Sequence, residues 1–133
     1  MRYRLEDLTS PAFEALLKGS APLVILQPVG SVEPHGPHLP LGTDTIISVA
    51  ASERAAARLA DQGVEARIAP AIPFGVTDFA AGFAGAVSLP AAALTACLRE
   101  VVRAELAMGA LHVCLVNNHL EPAHDAAGRA AIE

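Results

Sequence analysis

Tryptophan is absent from this sequence, tyrosine occurs once, and aromatic residues supply only 4% of its 133 positions. The 53% hydrophobic share is therefore inflated by alanine, and 17% of the residues are charged. That balance marks a globular chain, long enough for a real core, not a disordered one. Basic residues are outnumbered, with a formal charge of −5. No basic stripe is present to neutralise phosphates, which argues against a nucleic-acid partner. Cysteine is scarce: Cys97 and Cys114 stand 17 positions apart with no CxxC pairing. One falls in a helical pattern and the other in a strand pattern, so both read as buried thiols, not as a disulfide or a zinc knuckle. The N-terminus MRYRLEDLTS has no apolar run behind its basic residues and is no secretory signal. Residues 79–98 carry no charge for twenty positions, but Gly82, Gly85, Ser88 and Pro90 among alanines make a poor membrane span. Neither GxGxxG nor GxxxxGK[ST] occurs and no lysine follows any strand pattern, which leaves little for a phosphate-binding reading. The expectation is one domain over residues 1–133, soluble and cytoplasmic, with neither membrane nor nucleic acid as partner.

Three apolar runs are present: LVILQPV (23–29), ARIAPAIP (66–73) and HVCLVNN (112–118). Near-continuous hydrophobicity suits parallel strands covered on both faces. Helical patterns lie between and around them, at 10–18, 44–61, 90–108 and after Pro122. In the third, Leu94, Leu98, Val101, Val102 and Leu106 form the apolar stripe, with Pro90 in the first turn and Gly109 as C-terminal cap. The order α-β-α-β-α-β-α implies right-handed crossovers and a three-layer α/β/α domain with a mostly parallel central sheet.

Ligands of open α/β sheets bind beyond the carboxyl ends of the strands. Two histidine-bearing loops fall there, GSVEPHGPHLPLGTD (30–44) and NNHLEPAHD (117–125). Glu33 and His35 are two apart, as are His119 and Glu121, and extended backbone sends such pairs to one side. Pro34 and Pro122 restrain the preceding glutamates to extended conformations, and Gly36 allows a sharp turn. Asp44 arrives where the second helix begins. Five N/O ligands, Glu33, His35, Asp44, His119 and Glu121, suit Zn²⁺ or Mn²⁺, with Fe²⁺ a further option. They are too many for one tetrahedral zinc. A bridging carboxylate points to two cations roughly 3.5–4 Å apart, able to generate hydroxide from water at neutral pH. The ordinary alternatives are an N-cap role for Asp44, a dipole-complementing role for Glu121, and polar-loop or ligand-supporting roles for His38 and His124. His112, opening a strand, reads as structural.

The segments PVGSVEPHGPHLPLGTD, PFGVTDFAAGFAGAVSLP and LVNNHLEP resemble, in order, three blocks of the creatininase (creatinine amidohydrolase) family. The resemblance runs from about residue 22 to 128. It implies that Glu33, Asp44 and His119 hold one metal and His35, Asp44 and Glu121 the other, with Asp44 bridging. It also implies hydrolysis of a C–N amide bond in a small, cyclic or linear amide by metal-bound water, and a homo-oligomeric state. Pro34 replaces the usual Gln and Asn118 the usual Gly. Thr77 and Asp78 stand where the second block places substrate contacts. Family members continue beyond this chain's end, and that later half carries the proton-shuttling histidine. His38 and His124 are the only candidates here for that catalytic task. The rival expectation is a truncated or decayed relative that binds metal, or only folds, without turnover.

Overall fold

The computed structural model describes residues 3–133. Its elements are α1 (Ser10–Leu17), β1 (Leu23–Val29), α2 (Thr43–Ala60), β2 (Glu65–Ile68), α3 (Ala91–Ala107), β3 (His112–Asn117) and α4 (Pro122–Ile132), with 3₁₀ turns at Leu5–Asp7 and Asp78–Ala80. The strands form a parallel sheet in the order β2-β1-β3. β1 pairs Leu23 with Glu65 through Leu26 with Ile68 on one side, and Val24 with His112 through Val29 with Asn117 on the other. Six of its seven residues are buried, as a central strand covered on both faces requires.

Pairing in a parallel sheet aligns the carboxyl ends of all three strands on one edge. Alternation then divides the side chains between two layers. Val29, Val76, Leu94, Leu98, Ala127 and Ala131 pack with Leu115 under α3 and α4. Leu26, Ala56, Ala66 and Ile68 pack with Val24 and Val116 under α2. α2 can lie close to the sheet because its buried positions are small: Ser48, Ser52 and Ala56. Ser48 Oγ donates to Val29 O at 2.7 Å and Ser52 Oγ to Ser48 O at 2.8 Å, so both hydroxyls are satisfied. The architecture is the expected three-layer α/β/α.

Three expectations need correction, and one alternative, the N-cap role of Asp44, is removed. β2 stops at Ile68 instead of running to 73, because Pro70 and Pro73 have no N–H to give a neighbour. The chain returns to the sheet only at Ile72, which bridges Val29. Cys97 and Cys114 are free but exposed, not buried. Cys97 lies off the buried stripe of α3 (Leu94, Leu98, Val102, Glu105), and Cys114 sits on edge strand β3 while α2 lies chiefly over β1 and β2. On α3, Leu106 is 45% exposed, and the buried position next to it belongs to Glu105. Gly42, not Asp44, is the N-cap of α2. Among the described residues no helix is long and apolar enough to cross a membrane. The uncharged stretch 79–98 is divided between a 3₁₀ turn, a loop and the first half of α3.

A proline inside a central strand leaves a gap in the ladder. Pro28 accepts Ile72 N–H at 3.0 Å, so its missing donor faces the same side, where Pro70 O waits. The side chain of Gln27 substitutes for it: Nε2 donates to Pro70 O at 2.9 Å and to Pro28 O at 3.0 Å. Gln27→Ala should therefore cost about 1–3 kcal/mol, since a carbonyl is left unpaired, measurable as a lower urea midpoint. An unchanged midpoint would remove this role.

Glu105 is 5% exposed, and its Oε2 has no partner. Burial pushes its carboxyl from 4.5 up to about 7. The folded chain therefore holds this proton to higher pH than the unfolded chain, and stability falls as pH rises between 4.5 and 7. Glu105→Gln should stabilise the protein at pH 8, on the order of 1–3 kcal/mol, and make little difference near pH 4. Thermal unfolding of both proteins across that range checks it; equal midpoints at pH 8 would contradict it.

Candidate metal centre

The loops after β1, β2 and β3 meet at the carboxyl edge of the sheet. Gly30 N–H donates to Ile72 O at 3.0 Å, and Val87 N–H to Val32 O at 3.0 Å, tying the first loop to the second. Gly30 also lets the first loop lie against the start of α2: a Cβ there would stand 2.4 Å from Thr45 Oγ1 and 2.6 Å from Thr45 N. The chain reverses at Gly36, whose φ of +73° is the left-handed value expected of glycine. Around that turn His35 bridges Leu39, and Glu33 N–H donates to Leu41 O at 3.1 Å.

Glu33 and His35 leave this hairpin on one side, with Glu33 Oε1 3.8 Å from His35 Nε2. Asp44 meets them from the first turn of α2. It is 4% exposed and caps nothing, although the amino-terminal end of a helix is a favourable place for its charge. One ligand atom each from Glu33, His35 and Asp44 lie within 4.8 Å of one another. His119, 4% exposed, enters from the loop after β3. Its Nδ1 is 3.1 Å from Asp44 Oδ2 and 3.2 Å from Glu33 Oε1.

The hydrogen-bond network assigns the imidazole protons. His119 Nε2–H donates to Val76 O at 2.7 Å, leaving a lone pair on Nδ1. His35 Nδ1–H donates to Glu33 O at 3.0 Å, and its Nε2 faces Asp44 Oδ1 at 2.9 Å. Each oxygen of Asp44 thus faces a different imidazole nitrogen. Asp44 Oδ2 is buried with no hydrogen-bond donor. It, Glu33 Oε1 and the His119 Nδ1 lone pair converge without a proton among them, an arrangement that fits a cation. Burial pulls the His35 imidazole down. Its bonds to Glu33 O and Asp44 and the two carboxylate charges outweigh this and hold it above its ordinary value.

Glu121 is 5% exposed and stands at the N-cap of α4, yet its side chain does not cap that helix. Oε1 accepts Asp78 N–H at 3.1 Å and Oε2 accepts Phe79 N–H at 3.3 Å. It lies 3.9 Å from His119 Nε2 and outside the Glu33–His35–Asp44 group. Thr77 is fully buried, and its hydroxyl donates to Glu33 Oε2. Its N–H donates to Ser88 Oγ at 2.9 Å, and Ser88 Oγ donates to Asp78 Oδ1 at 2.7 Å. Of the two residues expected to meet substrate, Thr77 is buried and holds Glu33 in place, and Asp78 is exposed. His38 is exposed on the Gly36 turn, and His112 is exposed at the start of β3. His124 is 2% exposed, and burial, reinforced by the neighbouring His119, lowers its pKa to about 4. Both its nitrogens are engaged, with Val76 N–H and Asn117 Oδ1.

Sequence reasoning missed the anchors. The carbonyls of Glu33 and Val76 and the N–H groups of Asp78 and Phe79 carry no side-chain signature. Asn117 was signalled only as part of a motif, but its amide brackets His119: Oδ1 accepts His119 N–H at 3.0 Å and Nδ2 donates to His119 O at 2.8 Å. Beside the cluster runs a groove of about 460 Å³ lined by Glu33, Pro34, Gly36, Phe79, Ala80 and Phe83.

Comparison with known proteins identifies the family. The creatininase family, described as creatinine amidohydrolase, matches residues 6–133. The mycofactocin precursor peptide peptidase of Mycobacterium tuberculosis is 38% identical over 113 residues, 81% of this chain and 44% of that protein. The creatinine amidohydrolase of Pseudomonas putida is 28% identical over 120 residues, 86% of this chain and 44% of its own. The chain thus spans less than half the length of these relatives. Among solved structures, one named "Creatininase Mn" superposes with a TM-score of 0.84 at 26% identity, over 96% of this chain and 49% of that one. A Zn-Zn form of a creatininase mutant gives a TM-score of 0.81 at 26% identity, covering 96% and 48%. With its fold, its ordered blocks and its match over nearly all its length, the chain belongs to the creatininase family.

Proposed function

We propose that this chain carries the dinuclear metal centre of a creatininase-type amidohydrolase that cleaves a C–N amide bond. The observation that supports it most is the Asp44 carboxylate, buried with one oxygen against His35 Nε2 and the other against His119 Nδ1, and with Glu33 beside it. In this reading Glu33, Asp44 and His119 hold one divalent cation, and His35, Asp44 and Glu121 the other. Zn²⁺ or Mn²⁺ suits these N/O donors, and Fe²⁺ is compatible. When bound, such a pair polarises an amide carbonyl and acidifies water.

The residues of the chain do the rest. Thr77 fixes Glu33 through its hydroxyl, and the turn at 78–80 fixes Glu121 through two N–H groups. Phe79 is 79% exposed and Phe83 68%, so the groove beside the cluster offers an apolar wall to a substrate and keeps water away from one side of it. His38, exposed on its turn, is the candidate to deliver a proton to the departing nitrogen. Relatives named for a precursor peptide and for creatinine put both peptide and small cyclic amides within the substrate class. The protein acts in the cytoplasm as a homo-oligomer in this reading.

A second reading, a relative that binds metal without turnover, draws support from His124. Neither of its nitrogens is free, which leaves His38 as the single remaining candidate acid. The purified chain, loaded with Mn²⁺ or Zn²⁺, should hydrolyse at least one member of a panel of short peptides, creatinine and formamides. Asp44→Ala should lower that rate by about 10²–10³-fold, the scale on which a group stabilising developing charge acts. Metal uptake with no turnover of any member would favour the second reading.

A further inference from the structure

His124 lies in the first turn of α4, fully inside the protein, where it makes no contact with the groove. Its ring stands edge-on to His119, with centroids 4.7 Å apart and planes at 82°. Nδ1 accepts Val76 N–H at 3.2 Å, so the ring proton resides on Nε2, which donates to Asn117 Oδ1 at 3.2 Å. Those two partners are the groups that hold His119. Val76 O takes the Nε2 proton of His119 at 2.7 Å. Asn117 takes its N–H at 3.0 Å and gives a proton to its carbonyl at 2.8 Å. The four residues close a ring of hydrogen bonds around one imidazole. The loop after β2 accommodates His124 closely: a Cβ on Gly75 would stand 2.2 Å from its Nδ1 and 2.3 Å from its Cε1.

We infer that His124 is a positioning residue for His119. It clamps Val76 and Asn117 so that His119 keeps its proton on Nε2 and presents an unprotonated Nδ1 to Glu33 and Asp44. It touches neither substrate nor cation. A partner one step behind a ligand fixes the tautomer and orientation that the ligand needs. Here that step runs through a main-chain carbonyl and an amide, which removes His124 from the candidates for proton delivery. The consequence for metal affinity rests on the metal-binding reading above; the consequence for the tautomer does not.

His124→Phe keeps the ring volume and the edge contact but removes both hydrogen bonds, so a space-filling role would survive it. Two readouts are taken on the full chain. Long-range ¹H–¹⁵N NMR of the metal-free protein should show His119 as a single Nε2–H tautomer in wild type and as a mixture in His124→Phe. Titration with Mn²⁺ or Zn²⁺ should show affinity lowered about 10–100-fold in His124→Phe. His124→Asn, which keeps an acceptor for Val76 N–H, should recover part of both. An unchanged His119 tautomer and unchanged affinity in His124→Phe would overturn the inference. A wild type that binds neither ion would sink the metal reading, while the NMR comparison would still decide what His124 does. Should His124→Phe fail to fold, His124→Gln, with a donor for Asn117 but no acceptor at Nδ1, is compared with His124→Asn. A His119 tautomer and affinity unchanged from wild type in both variants would equally overturn the inference.

Discussion

Everything at the carboxyl edge of the sheet depends on one carboxylate, Asp44, held out of water between two imidazole nitrogens. Its oxygens stand 2.9 Å from His35 Nε2 and 3.1 Å from His119 Nδ1. Burying an acid without full hydrogen bonding costs free energy, and the fold supplies what offsets it. The first turn of α2 places its positive dipole end under the charge. Small residues along α2 let that helix approach the central strand closely enough to deliver Asp44 to the edge. The parallel register of β1 with β3 then brings the Glu33–His35 hairpin and His119 to the same level.

The three loops divide the work. In the proposed centre those after β1 and β3, with the start of α2, carry the donor atoms, and the one after β2 carries the groups that aim them. Thr77 holds Glu33, Val76 takes the proton of His119, and the N–H groups of Asp78 and Phe79 hold Glu121. Rigid aiming matters because cation affinity depends on lone pairs that are already directed, and each hydrogen bond behind the donors removes a competing tautomer or rotamer. It also explains glycine at positions 30 and 75. Both allow one loop to lie against another element at distances no Cβ permits.

Much of the fold was legible because it rests on burial alone. The apolar run 23–29 reads as a strand covered on both faces, and the alanine-rich stretch 44–61 as a helix. The two Glu/His pairs stand out in the sequence through i, i+2 spacing beside proline, a local signal, and their role as donors is the proposal made above. What escaped depends on the neighbours a residue meets in three dimensions. The cysteines read as apolar residues, yet one faces away from its helix stripe and the other lies on an edge strand. For Asp44 the sequence offers both a ligand and a capping role, and only the three-dimensional neighbours separate them: Gly42 takes the cap, and the carboxylate meets two imidazoles. His124 shares a loop with His119 in sequence, but α4 turns it inward, away from the groove beside the cluster. Glu105 occupies the buried position expected for its neighbour, and no local pattern foretells a carboxyl there.

The most direct test of the account is metal content per chain by elemental analysis, after stripping and reloading with Mn²⁺ or Zn²⁺, in wild type and Asp44→Ala. The account predicts about two equivalents in wild type and near-complete loss of both in the variant, since one carboxylate serves both ions. A folded wild-type chain holding no stoichiometric metal, or an Asp44→Ala variant retaining both equivalents, would contradict it.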